Sequence, residues 1–192
     1  MEKKDVINFF DNLADSWDEG QIAKVAIIEK ILDNGGVEHH KEILDIACGT
    51  GVLFPFYFKR KVKSVTGIDI SSEMVKIAKG KFPETEIICG DAEEHSFGKK
   101  FDVIMIYNAF PHFPNPEKLI ENLTGYLKEN GRISIAHSMS RAQLQKHHSG
   151  SASKVSLELP PAEVLEGILK PYFNVDIIIS DDEMYQVSGI KK

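Results

Sequence analysis

The nine residues 43–51, Ile-Leu-Asp-Ile-Ala-Cys-Gly-Thr-Gly, decide the fold of this chain. The apolar residues of 43–46 have the bulky side chains of a short buried strand. Two glycines follow at once, before a segment long enough for a helix. Because glycine has no Cβ, such a turn can be sharp and a ligand can lie against its backbone. A strand, a glycine-rich turn and a helix form the first unit of a nucleotide-binding α/β fold.

The glycine pattern differs from the dinucleotide-binding fingerprint, which is G-x-G-x-x-G. Ala47 holds the first small position, and Val52, Leu53 and Phe54 follow Gly51, so no third glycine stands at the start of the helix. Asp45 is expected near the carboxyl end of the strand, where open α/β sheets bind ligands. An acidic residue followed by small-x-Gly-x-Gly resembles motif I of the class I S-adenosylmethionine (SAM)-dependent methyltransferases.

The resemblance covers about residues 8–137 and is to small-molecule methyltransferases such as those of ubiquinone and menaquinone biosynthesis. It implies an α/β, Rossmann-like three-layer sandwich, with a mostly parallel seven-stranded sheet closed by an antiparallel C-terminal hairpin strand. The expected organisation is one domain over residues 1–192. Within it we expect an N-terminal helical cap at 1–35 and a lid over the acceptor site at 138–159, a segment that contains a run of small polar residues.

Later segments of the sequence agree with such a sheet. Residues 101–107 are nearly all apolar, as in a central parallel strand that is buried on both faces. Residues 173–180 and 184–189 predict two further strands. The short connection between them is too short for a helical crossover, so these two strands should form an antiparallel hairpin.

Composition excludes several classes of partner. The net charge is −6 and the pI about 5.7, whereas nucleic acids and anionic membranes call for a basic surface. Cys48 and Cys89 form no disulfide framework or zinc ribbon pattern, which favours a reducing compartment. No run is apolar enough for a signal segment or a membrane span. We therefore expect a cytoplasmic protein that binds no nucleic acid and does not insert into membranes.

An aromatic segment precedes the glycine motif. Phe10-Asp11-x-x-Ala14-x-x-Trp17-Asp18 resembles the aromatic-Asp-x-x-Ala-x-x-Tyr-Asp segment of many small-molecule methyltransferases. In those relatives the second aromatic side chain lies against the methionine end of the cofactor. Tryptophan replaces the usual tyrosine here, so the resemblance implies a stacking contact for Trp17 but no hydroxyl contact. The alternative is that Trp17 only anchors the segment to the core.

Acidic residues end the second and third predicted strands. A carboxylate at Asp69 can accept hydrogen bonds from both ribose hydroxyls of an adenosine, and one at Asp91 can accept from the adenine amine. Each could instead serve only its own turn. The resemblance implies a SAM site formed by Trp17, Asp45, Ala47, Cys48, Gly49, Gly51, Asp69, Ile70, Met74, Asp91, Ala92 and Asn108.

Histidines are concentrated where the methyl acceptor is expected to bind. His112 and His137 follow the fourth and fifth predicted strands, and we predict them as catalytic residues that take a proton from the acceptor. A divalent metal held by these two residues with His147 or His148 is the alternative. Adjacent helical residues do not face the same way, so at most one of that last pair could join.

The sequence leads to SAM-dependent methyl transfer to a small-molecule acceptor as the predicted function. One alternative is a metal-assisted methyltransferase, and another is a non-catalytic protein that binds SAM. A nicotinamide-dependent oxidoreductase is disfavoured by the missing third glycine and by the closing hairpin. The identity of the acceptor, its attacking atom and the oligomeric state are left open, because the class I fold serves many acceptors.

Overall fold

The computed structural model describes residues 1–19, 24–148 and 151–192, without the side chains of residues 147, 148, 151 and 152. The strands are β1 (Glu42–Ile46), β2 (Ser64–Asp69), β3 (Glu86–Cys89), β4 (Phe101–Tyr107), β5 (Leu127–His137), β6 (Phe173–Ser180) and β7 (Tyr185–Lys191). The α-helices are α1 (Lys3–Leu13), α2 (Val25–Asn34), α3 (Phe54–Lys59), α4 (Ser72–Lys81), α5 (Pro116–Thr124), α6 (Arg141–His148) and α7 (Ala162–Leu169).

The described strands form one sheet in the order β3-β2-β1-β4-β5-β7-β6. The pairs from β3 to β5 are parallel, whereas β7 runs antiparallel to both of its neighbours, β5 and β6. This arrangement confirms the predicted Rossmann-like sheet and its antiparallel closing strand. The order reverses between β1 and β4, so a crevice opens at the carboxyl ends of these two strands.

Helices cover both faces of the sheet, which makes three layers. The side chains of Ile43 and Met105 pack with α2, α3 and α4 on one face. Those of Leu44 and Ile104 pack with α5 and α7 on the other. Because β1 and β4 are buried on both faces, apolar residues occupy adjacent positions in both strands rather than only alternate ones.

The structure shifts three predicted boundaries. The aromatic segment is helical only to Leu13, and a 3-10 turn over Ala14–Ser16 follows it. The apolar periodicity of residues 21–33 predicts a helix; in the structure it begins at Val25, and the first residues of the pattern lie outside the described part of the chain. The sequence Glu-Asn-Gly at 129–131 predicts a turn before the fifth strand; in the structure it is an irregularity within β5, where the pairing with β4 jumps from Leu127 to Arg132.

The described helices include none that is long and apolar enough to cross a bilayer. The longest, α1, has 11 residues, whereas a membrane-spanning helix needs about 20 apolar residues.

A close approach at Gly67 gives the first prediction. A Cβ on this β2 residue would lie 2.8 Å from Sγ of Cys48, in the glycine motif, and 2.8 Å from Cζ of Phe54, just after it. We expect Gly67→Ala to lower the free energy of unfolding by about 1–3 kcal/mol, because the core must shift to admit the methyl group. Urea unfolding measures this.

The matched control is Gly98→Ala, where a Cβ would meet nothing within 4 Å. This variant should be unchanged or slightly more stable. Equal stability of the two variants would contradict the close packing of β2 against the glycine motif.

Candidate functional site

A deep cleft lies at the carboxyl ends of β1, β2, β3 and β4. It encloses about 920 Å³, counting its open mouth, which is within the usual size range for cofactor sites. Its wall is formed by Lys3, Val6, Phe10, Trp17, Ala47, Cys48, Gly49, Val52, Ile68, Asp69, Ile70, Met74, Gly90, Asp91, Ala92, Glu93, Tyr107, Asn108, Ala109, His112, Phe113 and Pro114. Ten of the residues predicted for the SAM site are therefore in one wall, and Asp45 and Gly51 are not.

The two glycines of the motif have different roles. Gly49 has a φ of +55°, and a Cβ there would meet only Trp17 Nε1, at 3.8 Å, so its Cα faces the open cleft. Gly51 has a φ of +85°, and a Cβ there would lie 2.7 Å from the Phe82 ring. Gly51 is thus required by backbone conformation and core packing, and the structure places it behind the wall rather than in the predicted site.

Asp69 ties the glycine motif to the neighbouring strand. Its Oδ2 accepts a hydrogen bond from the Gly49 backbone N–H at 2.8 Å, and its Oδ1 accepts from Ser71 N–H at 2.9 Å. Burial raises the pKa of Asp69, and these backbone donors act in the opposite direction. Each carboxylate oxygen has a further lone pair, so Asp69 can still accept from a ligand in the cleft.

Two aspartates fix the aromatic segment beside the cleft. Asp11 Oδ1 accepts from Ser71 Oγ at 2.6 Å, at the residue that caps α4. Asp18 Oδ1 accepts from Thr50 Oγ1, inside the glycine motif, at 2.7 Å. The segment between them is held at both ends, which places Trp17 in the wall. The sequence reasoning did not assign roles to these acids, although both stand in the recognised motif.

A cation lies beside the predicted adenine residue. The Lys3 ammonium hydrogen-bonds to Asp91 Oδ2 and lies 2.9 Å from Glu93 Oε2. Glu93 Oε1 accepts from the Asn115 backbone N–H at 2.9 Å, so this buried acid also holds the start of α5. Lys3 and Glu93 are wall residues that the sequence did not reveal, because nothing local in it pairs positions so far apart.

The opposite end of the cleft contains an amide and an imidazole. Asn108, with a φ of +53°, accepts from the Ser138 backbone N–H at 3.0 Å. His112 Nδ1 lies 2.8 Å from the Val155 carbonyl oxygen, which can only accept, so Nδ1 carries the proton in this contact. The Phe10 ring meets the imidazole edge-on, with centroids 4.9 Å apart. In this tautomer Nε2 is the basic nitrogen of His112.

Comparison with known proteins agrees with this architecture. The family described as a methyltransferase domain matches residues 44–135. Demethylmenaquinone methyltransferase from Thermotoga maritima is 30% identical over 145 residues, which are 69% of this chain and 61% of that protein. These matches support a class I SAM-dependent methyltransferase, the family that the sequence resembles.

Two further proteins, one similar in sequence and one in fold, extend the comparison. Malonyl (acyl-carrier protein) O-methyltransferase from Priestia megaterium is 34% identical over 110 residues, which are 56% of the chain and 40% of that protein. The chain thus spans 40% of the length of the Priestia protein and 61% of the length of the Thermotoga protein. Magnesium protoporphyrin IX methyltransferase from Synechocystis, solved with S-adenosylhomocysteine (SAH), matches at a TM-score of 0.73 with 17% identity over both whole chains, a likeness of fold.

In this class I fold the two predicted catalytic histidines occupy different environments. His112 is in the cleft wall, whereas His137 is fully buried at the end of β5, opposite Tyr185, with ring centroids 6.2 Å apart. The predicted convergence of the two imidazoles on one pocket is therefore not what the structure shows. The position at or just past the end of a strand was right for both, but the sequence did not show that the His137 side chain is buried in the core.

The predicted metal site has no counterpart among the described side chains. Within them, no group of three or more His, Cys, Asp or Glu residues could hold a metal ion. The side chains of His147 and His148 lie outside the described part, so the two remaining candidates, His112 and His137, are considered only as single residues.

Asp45 lies behind the glycine motif, where it is 2% exposed. Burial raises its pKa to about 8; the neighbouring Tyr57 hydroxyl opposes this shift and the nearby charge of Asp69 adds to it. At neutral pH the folded chain therefore holds Asp45 largely in its protonated form.

This raised pKa predicts a pH-dependent stability. An unfolded aspartate titrates near pH 3.9, so between there and about 8 the folded chain holds one more proton at Asp45. Stability should fall as the pH rises through this window. Asp45→Asn should remove that loss, so its stability relative to the wild type should rise from about pH 5 to pH 8, by about 1.4 kcal/mol per pH unit at most.

Thermal and urea unfolding at several pH values measure this difference. Asp182→Asn is the matched control, because it makes the same change at an exposed residue. A constant difference between Asp45→Asn and the wild type from pH 5 to 8 would show that Asp45 is not held protonated by the fold.

Proposed function

We propose that this chain binds SAM in the cleft and transfers its methyl group to a small-molecule acceptor. The observation that carries the proposal is the joint placement of Gly49, Asp69 and Asp91. Asp69 holds the Gly49 backbone open towards the cleft, and Asp91 stands on the next strand end in the same wall. A bare glycine backbone and two carboxylates suit the hydroxyls, amine and cationic centre of SAM.

The residues of the wall divide the cleft into parts. Asp69 would accept from the ribose hydroxyls, and Asp91 and Ala92 would face the adenine. Gly49, Trp17 and Asn108 would border the methionine end, with the Trp17 face towards the sulfonium, since aromatic faces attract cations. SAH held in the similar fold of the Synechocystis enzyme supports a ligand of this kind.

When bound, SAM supplies a sulfonium methyl group that a nucleophile displaces, leaving the bond pair on sulfur and releasing SAH. The protein would contribute alignment of the nucleophile, exclusion of water and a route for its proton. His112 is the wall residue suited to take the proton of the nucleophile, because its Nε2 is basic in the tautomer that the Val155 carbonyl favours.

The acceptor end of the cleft is mainly apolar. The wall there is formed by Phe10, Ala109, Phe113 and Pro114, with the imidazole of His112 among them. Such a surface suits an uncharged aromatic or aliphatic acceptor with one ionisable oxygen, nitrogen or sulfur. The name of the Thermotoga relative supports a small acceptor, whereas that of the Priestia relative shows that acceptors differ among such sequences.

We also propose that residues 138–159 act as a lid on this end. The Leu157 backbone N–H donates to the Pro111 carbonyl at 2.7 Å, and the Val155 carbonyl meets His112. These contacts join the segment to the loop that borders the acceptor space. Two of its residues, 149 and 150, lie outside the described part.

Calorimetry with SAM, SAH and NAD tests the proposed cofactor. SAM and SAH should bind and NAD should not. Gly49→Val should weaken SAM binding at least about tenfold, because its side chain would project into the cleft. Asp69→Ala should cost about 1–3 kcal/mol of binding, the scale for losing hydrogen bonds to a charged group.

Gly80→Ala is the control for the glycine change, because a Cβ there meets nothing within 4 Å. Unfolding curves of each variant establish that it is folded. If folded Gly49→Val binds SAM as the wild type does, the glycine motif is not the cofactor cradle.

Once an acceptor is found by screening thiols, amines, phenols and carbon acids, His112→Gln tests the base. We expect the rate of methyl transfer to fall by about 10²–10⁴-fold, with SAM affinity unchanged. The pH profile of the variant should also lack the acidic limb, the fall in rate that protonation of a base causes. His137→Gln is the comparison, because that residue is outside the wall. Full turnover in His112→Gln would mean that the acceptor is activated by proximity alone.

A further inference from the structure

The N-terminal end of α1 is clasped to the wall of the cleft by one lysine. The Lys3 ammonium contacts Asp91, lies 2.9 Å from Glu93 Oε2 and donates to Glu94 Oε1 at 3.2 Å. We call Lys3, Asp91, Glu93 and Glu94 the Lys3 clasp. It joins α1 to the chain just after β3, at the end of the cleft where adenine is expected.

The clasp is stronger than an exposed ion pair. The Glu93 side chain is fully buried, and the Lys3 side chain is only 31% exposed. A buried carboxylate that loses its cation is costly, whereas the exposed pair with Glu94 adds little. Burial lowers the pKa of Lys3, but its hydrogen bonds to Asp91, Glu93 and Glu94 outweigh this and hold the pKa above its ordinary value. Lys3 therefore stays charged at neutral pH.

The rest of α1 is held weakly. Val6 is its one fully buried side chain, so hydrophobic packing contributes little. At the other end, Asp11 accepts from Ser71 Oγ at 2.6 Å and from the Glu73 backbone N–H at 3.3 Å. The helix is thus fixed at two polar points, and its side chains Lys3, Val6 and Phe10 cover the cleft between them.

We propose that the Lys3 clasp gates cofactor exchange: when it opens, α1 swings about its Asp11 end and uncovers the adenosine end of the cleft. The proposal rests on the proposed SAM site. Closure excludes water and keeps Asp91 in place, and opening lets SAM enter and SAH leave. Since salt weakens ion pairs that are partly exposed, the exchange rate should rise with ionic strength.

Stopped-flow fluorescence of Trp17 measures this exchange directly, because Trp17 is the single tryptophan of the chain and lies in the cleft wall. In Lys3→Met, SAH should dissociate about fivefold faster or more, the effect of losing an interaction of moderate strength. Dissociation from the wild type should quicken between about 0.05 and 0.5 M salt, whereas that from Lys3→Met should change little.

Lys76→Met is the matched control, since it removes the same charge from an exposed pair with Glu73; its rates should equal those of the wild type. Lys3→Arg should restore slow dissociation. If the wild type binds SAH but Lys3→Met leaves its dissociation rate unchanged, the gate is wrong and the SAM site stands. If the wild type binds no SAH, the proposed function is wrong and the gate with it.

Hydrogen exchange supplies a readout without any ligand. The amides of residues 7–13 in α1 should exchange faster in Lys3→Met than in the wild type or Lys76→Met, because the clasp limits opening of the helix. Equal exchange in all three proteins would overturn the gate, since α1 would then be closed by something other than Lys3.

Discussion

The site depends on the paired hydrogen bonds that Asp69 accepts from Gly49 and Ser71. Through them one buried carboxylate joins the end of β2, the turn after β1 and the start of α4. The Ser71 hydroxyl in turn donates a hydrogen bond to Asp11, which lies in the N-terminal helix α1. Without this carboxylate the backbone donors of both turns would be left unsatisfied, and a buried unsatisfied donor is costly. The cleft and its cover are therefore built from the same short network.

Charge is distributed unevenly around this network. Asp45 and Asp69 are buried on the glycine side, and burial raises the pKa of both. The charged groups lining the adenosine end include the Lys3 cation, which is already engaged with Asp91 and Glu93. A cationic ligand in front of the glycine motif would relieve the cost of the buried acids.

The sequence predicted what local chemistry determines. The mostly parallel sheet with its antiparallel closing strand, the glycine turn and the acids near the strand ends follow from short motifs and the resemblance that they carry, and most residues predicted for the SAM site are in one wall. It did not predict features set by packing between distant segments. A side chain at residue 51 would collide with the ring of Phe82, which is why glycine is needed there. His137 is buried opposite Tyr185 of β7. Lys3 and Glu93 form an ion pair only when the chain is folded.

The most direct test is a crystal structure of the protein with SAH. The account predicts ribose hydroxyls on Asp69, adenine beside Asp91 with Lys3 still on Glu93, and the thioether between Trp17 and Asn108. SAH bound elsewhere, or ribose hydroxyls that leave Asp69 untouched, would contradict it.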